Sequence, residues 1–218
     1  MLLYYITDRK SFAGTDAQQR VALLRRIADA ARAGVDYIQL REKDLSPHDL
    51  ERLAYQAVHA VRDNSTTTRL LVNSRADVAL AAGADGVHLP AVEIDASEVR
   101  ALWMRCSSSR PLIGVSAHST ADVRYAQAHG ADFVLLAPIF EKVQTGTPGI
   151  GLEAVRAASA DAVSFAVVAL GGVALSNARS CIEAGAVGIA GIRLFQQGDV
   201  LETVRQLRAI QEQVNATP

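Results

Sequence analysis

Ala82-Gly83-Ala84-Asp85-Gly86-Val87-His88-Leu89 decides the fold, because its opening recurs along the chain. A helical pattern runs out at Ala82, a glycine follows, and a short apolar run begins at Gly86. Ala33-Gly34-Val35-Asp36 makes the same junction upstream, and His129-Gly130-Ala131-Asp132 and Ala184-Gly185-Ala186-Val187 make it downstream. The glycines stand 49, 47 and 55 residues apart. Glycine adopts the left-handed conformation that closes a helix before a strand without a steric penalty. Each repeat has room for two strand–helix units, so four junctions predict eight such units.

Working outward from the junctions, apolar and β-branched runs predict strands at Leu2–Thr7, Val35–Arg41, Arg69–Asn73, Gly86–Leu89, Leu112–Ser116, Asp132–Ala137, Phe165–Leu170 and Val187–Gly191. Helical patterns follow at Asp16–Ala33, Arg75–Ala82, Ala96–Met104, Thr120–His129, Leu152–Ser159, Leu175–Ala184 and Asp199–Val214. Another helix follows the second strand, with Ser46 as its cap and Pro47 at its first position. Within it, Leu50, Leu53, Ala54, Ala57, Val58 and Val61 share one face of a 3.6-residue period. Eight near-equal units suit a single closed (β/α)8 TIM barrel occupying residues 1–218. An open doubly wound sheet is the alternative and accounts less naturally for eight equal units.

Composition narrows the function. Of 218 residues, 50% are apolar and 21% charged, which excludes a disordered chain. Twenty-two basic against 23 acidic side chains leave a net charge of −1, so nothing marks a nucleic-acid or anionic-membrane binder. Aromatics at 5% are too few for base-stacking platforms. Cys106 and Cys181 are isolated thiols, with no zinc or disulfide framework between them. The opening MLLYYITDRK has no signal-like h-region and no run is long enough to span a membrane, so a cytoplasmic location is expected.

A barrel of this kind gathers its function at the C-terminal ends of the strands. After the second strand comes Gln39-Leu40-Arg41-Glu42-Lys43, where alternation sends Gln39, Arg41 and Lys43 to one side. Two cations and an amide suit a phosphate or pyrophosphate; a solvated loop with Glu42 neutralising its neighbours is the competing reading. Asn73, after the third strand, orients a substrate or caps the next helix. Glu93 and Asp95, after the fourth, hold Mg²⁺ or cap a helix. Ser116 and His118, after the fifth, have the spacing of a nucleophile and base, though hydrogen bonding to a ligand or capping fits better because no orienting third residue is evident. The glycine-rich stretch from Phe140 to Gly151 is a lid or a passive loop. Gly171-Gly172 and Gly191-Ile192-Arg193, after the last two strands, form a phosphate cup in which Gly172 lets the backbone approach the anion. A side chain at Gly172 is expected to block phosphate with little effect on stability.

Several of these stretches, with Tyr5-Ile6-Thr7-Asp8, Gly114-Val115-Ser116-Ala117-His118-Ser119, Pro138-Ile139-Phe140, Gly151-Leu152-Glu153 and Ala169-Leu170-Gly171-Gly172-Val173, closely resemble the thiamine phosphate synthase family, in its order and from about residue 3 to residue 208. The resemblance implies a TIM barrel that joins hydroxymethylpyrimidine pyrophosphate to thiazole phosphate with Mg²⁺ and releases pyrophosphate. It implies pyrophosphate and pyrimidine contacts at Gln39, Arg41, Lys43, Asn73 and Ser116, and a thiazole-phosphate cup at Gly172 and Gly191–Arg193. Arg41, Lys43 and Ser116 are the expected catalytic residues; His118 and Lys142 are expected to bind substrate. The partners implied are these small phosphorylated substrates, and a homodimer is compatible with the reading.

The chain departs from the family pattern in places. Where the family has an Asn-Asp pair whose Asp binds Mg²⁺, this chain has Asn73-Ser74, and Glu93 is the nearest substitute for the second metal carboxylate. The lid lacks the family's Thr-x-Thr-Lys, with Lys142 as the substitute, and Ile192-Arg193 replaces Val-Ser in the cup. Leu89-Pro90, Ser74 and Phe140-Glu141 are similar to the TenI-like branch of thiazole tautomerases, whose catalytic His is Pro138 here. A TenI-like tautomerase and a non-catalytic thiazole-phosphate or thiamin-phosphate binding protein are therefore the alternatives to a synthase.

Overall fold

The computed structural model describes residues 1–91, 94–141, 146–162 and 165–216. Eight parallel strands close on themselves in chain order: β1 (Leu2–Ile6), β2 (Tyr37–Leu40), β3 (Arg69–Asn73), β4 (Gly86–Leu89), β5 (Leu112–Ala117), β6 (Phe133–Leu136), β7 (Ala166–Ala169) and β8 (Gly188–Gly191). Closure comes from β1 against β8, with Leu2 opposite Gly188 and Tyr5 opposite Gly191. The intervening helices are α1 (Asp16–Ala33), α2 (Pro47–Arg62), α3 (Ala76–Ala82), α4 (Ala96–Cys106), α5 (Thr120–Ala128), α6 (Gly151–Asp161), α7 (Leu175–Glu183), α8 (Arg193–Gln196) and α9 (Val200–Asn215). None of the described helices is long and apolar enough to cross a membrane.

Five strands are shorter than their predicted runs, β3 and β4 match theirs, and β5 runs one residue further, to Ala117. β2 begins at Tyr37 rather than Val35, and β6 stops at Leu136. The flanking residues are apolar because they are buried against helices, which a composition pattern does not separate from pairing. The one-turn helix α8 was not expected. Its four residues are too few to leave a period in the sequence.

Alternation along the strands divides the core in two. Tyr5, Ile38, Val72 and Val87 face outward and pack with the helices. Tyr4, Ile6, Leu71, Phe133, Leu135, Val168 and Ala190 form a second cluster, which fills the barrel. The six-residue apolar face expected on α2 is buried in full, with Ser46 Oγ accepting the Asp49 N–H at 3.1 Å as the cap.

The junction glycines adopt left-handed φ values of 88° at Gly34, 70° at Gly83, 85° at Gly130 and 102° at Gly185. The aspartates beside them have a further task. Asp36, Asp85 and Asp132 each accept the second backbone N–H of the preceding strand, from Leu3 at 2.7 Å, Leu70 at 2.8 Å and Ile113 at 2.7 Å. The first N–H of each of these strands goes instead to a backbone carbonyl, Leu2 to Val187, Arg69 to Asp36 and Leu112 to Asp85, so both donors at each strand start are satisfied.

Candidate functional site

The C-terminal mouth is organised by a latch between the segments after β1 and β2. Glu42 is turned inward and buried. Its Oε1 accepts Thr7 Oγ1–H at 2.7 Å, and Oε2 accepts Arg9 Nη1–H at 3.1 Å and the Arg9 backbone N–H at 3.2 Å. Thr7 Oγ1 also accepts the Arg41 backbone N–H at 2.9 Å. The Arg9 guanidinium is itself buried and grips Asp44 with both terminal nitrogens, at 2.6 and 2.7 Å, and Asp16 through Nε at 3.0 Å. Hydrogen bonding to Asp44, foremost, holds Arg9 firmly charged, and the same contact holds the Asp44 carboxyl well below its ordinary value. Burial raises the Glu42 carboxyl, against the opposing pull of Thr7 and Arg9.

This corrects the expectation that Glu42 neutralises its neighbours in the loop. It neutralises Arg9. Among the described residues, neither Arg41, half-buried at the mouth, nor the exposed Lys43 has an ion-pair partner. The latch thus subtracts the one anion from Gln39–Lys43 and leaves its two cations without an ion-pair partner among the described residues.

Below them a hydrogen-bonded chain crosses the barrel interior. Gln39 Nε2–H donates to Tyr4 Oη at 3.0 Å, Tyr4 Oη lies 3.2 Å from His88 Nδ1, and His88 Nε2 lies 3.0 Å from Ser116 Oγ. Gln39, Tyr4 and His88 are buried, and Ser116 is half-buried. Burial, helped by the positive charge of Arg41, pushes the His88 imidazole down to about 3, so it is neutral at ordinary pH. Ser116 pairs with His88 and not with His118, so the Ser116–His118 couple does not form. His118 Nδ1 instead lies 2.7 Å from the Ala137 carbonyl oxygen.

Asn73 does not cap the next helix, because Arg75 occupies the N-cap position of α3; Asn73 Nδ2–H donates to Ser74 Oγ at 3.0 Å. Ser74 is left-handed, with φ 61°, and its N–H donates to the His88 carbonyl at 2.8 Å. Asp95 holds the N-cap position of α4 without capping it; its Oδ1 accepts Tyr125 Oη–H at 2.8 Å. Glu93 and Lys142 lie outside the described residues. No three of His, Cys, Asp and Glu gather among the described residues. Asn73 and Ser74 supply neutral oxygens, and Asp44 and Asp77 are engaged by arginines. Among the described residues, Asn73 and Ser74 thus offer a hard dication no anionic oxygen, which it prefers.

Gly171 and Gly172 have φ values of 92° and 68°. A Cβ on Gly172 would stand 2.7 Å from Phe140 Cβ, so a side chain there meets the start of the β6–α6 connection as well as any anion. The expectation that such a side chain spares stability is therefore corrected. Gly191 ends β8, Ile192 is the N-cap residue of α8, and the exposed Arg193 begins it.

Sequence reasoning assigned no role to Tyr4, Thr7, Arg9 or His88. Tyr4 and His88 carried a usable signal: polar atoms at inward-facing positions of apolar strands need partners. Arg9 carried none, because an arginine after a strand reads as solvated.

The site and fold together define a closed (β/α)8 barrel protein with two cations free of ion pairs, among the described residues, near a buried polar chain. The family model described as thiamine monophosphate synthase matches residues 3–195, and the chain belongs to that family. The thiamine-phosphate synthase of Methanoculleus marisnigri is 41% identical over 212 residues, covering 94% of this chain and 93% of that one. That of Methanoregula boonei is 37% identical over 211 residues, covering 94% and 91%. The solved thiamine phosphate pyrophosphorylase from Pyrococcus furiosus superposes with a TM-score of 0.80 at 28% identity, covering 98% of this chain and 96% of that one.

Proposed function

We propose that this chain joins hydroxymethylpyrimidine pyrophosphate to thiazole phosphate. The bond between the pyrimidine's exocyclic carbon and the pyrophosphate oxygen breaks, and the electron pair leaves with pyrophosphate. The thiazole nitrogen then bonds to the cation-like carbon. The observation that carries this reading is the pair Arg41 and Lys43, left without an anion by the Arg9–Glu42 latch. Fixed cations aimed at a leaving group stabilise the charge that develops as the bond breaks. Gln39 and Ser116 lie beneath as hydrogen-bonding groups for the pyrimidine, and the Gly172 and Gly191–Arg193 segments receive the thiazole phosphate.

The family resemblance implies Mg²⁺, which would share the leaving group's charge. Asn73 and Ser74 supply no anion for it, so Arg41 and Lys43 bear more of that charge here. Ser74, with its neutral oxygen, also favours the second reading: a TenI-like tautomerase or a binding protein that handles thiazole phosphate without the pyrophosphate step.

The test is incubation of the purified chain with both substrates, with and without Mg²⁺, measuring thiamin phosphate and pyrophosphate. Turnover is expected. Its absence, with the phosphorylated ligands still bound, rejects the synthase. An assay for isomerisation of the thiazole carboxylate phosphate then separates a tautomerase from a binding protein.

A further inference from the structure

The chain Gln39–Tyr4–His88–Ser116 has a direction. A neutral imidazole carries one N–H and a phenol one O–H, so only two arrangements make every link and also pair the buried Tyr4 proton. In one, each group donates towards Ser116; in the other, each donates towards Gln39. The Gln39 amide settles the choice, because its Nε2–H donates to Tyr4 Oη. With that bond fixed, the arrangement that also pairs the buried Tyr4 proton has Tyr4 donating to His88 Nδ1, 3.2 Å away, and His88 Nε2–H donating to Ser116 Oγ, 3.0 Å away.

Two groups remain for a ligand. Ser116 Oγ already accepts a hydrogen bond, so its own O–H is left to donate. Gln39 Oε1 has no partner among the described residues and is left to accept. The seat of the imidazole is fixed by packing. A Cβ on Gly114 would lie 2.8 Å from His88 Nδ1 and 2.3 Å from the Phe133 ring, so only glycine admits both rings. Tyr4 and Phe133 pack around His88 with ring centroids 5.9 and 6.3 Å away.

We infer that Tyr4 and His88 are positioning residues that fix Ser116 as a donor and Gln39 as an acceptor, and so select a heterocycle presenting an amine beside a ring nitrogen. The inference rests on the proposed function and deepens it. Neither residue touches the reacting atoms. Their effect is on which base edge the mouth accepts, because the wrong edge leaves a buried donor or acceptor unpaired.

The test compares binding of the aminopyrimidine pyrophosphate with that of its oxo analogue, in which a carbonyl replaces the amine. The chain with Tyr4 should prefer the amine. Tyr4→Phe keeps the ring and removes the hydroxyl, and should reduce that preference about tenfold while leaving inorganic pyrophosphate affinity unchanged. Nitrogen NMR of the ligand-free protein should show His88 protonated on Nε2 alone, with no titration between pH 5 and 8. A preference unchanged in Tyr4→Phe, or a proton on Nδ1, overturns the inference while leaving the proposed function intact. Binding of neither pyrimidine by the unsubstituted chain overturns both.

Discussion

At the N-terminal end of the barrel, Asp36, Asp85 and Asp132 hold the second N–H of a strand and also meet arginines: Arg208 at 2.8 Å, Arg69 at 3.6 Å, and Arg100 and Arg110 at 3.1 and 2.6 Å. At the C-terminal end, Arg41, Lys43 and Arg193 have no ion-pair partner among the described residues. Both ends carry charge. At the floor it is neutralised on the spot and contributes to stability; at the mouth it is left over and available to a ligand. The latch joins these two uses, since Arg9 and Glu42 sit at the mouth and yet satisfy each other as the floor pairs do.

Substitutions can break that contrast, beginning with the latch. Arg9→Ala leaves Glu42 buried without its cation and should cost about 3 kcal/mol in urea unfolding, together with pyrophosphate binding. A loss well below this would mean that the latch does not organise the mouth. At the floor, Asp132→Asn should cost about 1–2 kcal/mol and leave ligand affinity unchanged, so a fall in affinity would blur the division between the ends. Gly172→Ala tests the mouth's backbone. With left-handed φ and a close neighbour in Phe140, it should cost about 1–2 kcal/mol and also weaken thiazole-phosphate binding. A stable variant would show that the segment adjusts.

The smallest effect is expected at Ser74. Aspartate tolerates its left-handed φ of 61° better than most residues. Ser74→Asp should therefore change stability by less than about 0.5 kcal/mol. It should also tighten Mg²⁺ binding by calorimetry and lower the Mg²⁺ needed for turnover. Tighter binding without any change in turnover would separate metal binding from the chemistry.

The fold was legible because its signal is local and repeated. Gly34, Gly83, Gly130 and Gly185 mark helix ends by a backbone conformation that favours one residue type, and the α2 face follows a single period. The candidate site was legible where residue type restricts chemistry, as with Arg41 and Lys43 beside Gln39. It was less so where a side chain's partner lies far off in sequence. Ser116 stands two residues from His118 but bonds to His88 on the neighbouring strand, and Glu42 is followed by Lys43 but bonds to Arg9. Spacing along the chain cannot report such choices, because strand register and burial decide them.

The account rests on free cations at the mouth meeting a pyrophosphate, and calorimetric titration of inorganic pyrophosphate into the unsubstituted chain and Lys43→Ala tests this most directly. Lys43→Ala should weaken pyrophosphate about tenfold, or about 1.4 kcal/mol, while a thiazole monophosphate binds as before and the melting temperature holds. Equal losses for both ligands, or none for either, would contradict it and return the loop after β2 to an ordinary solvated surface.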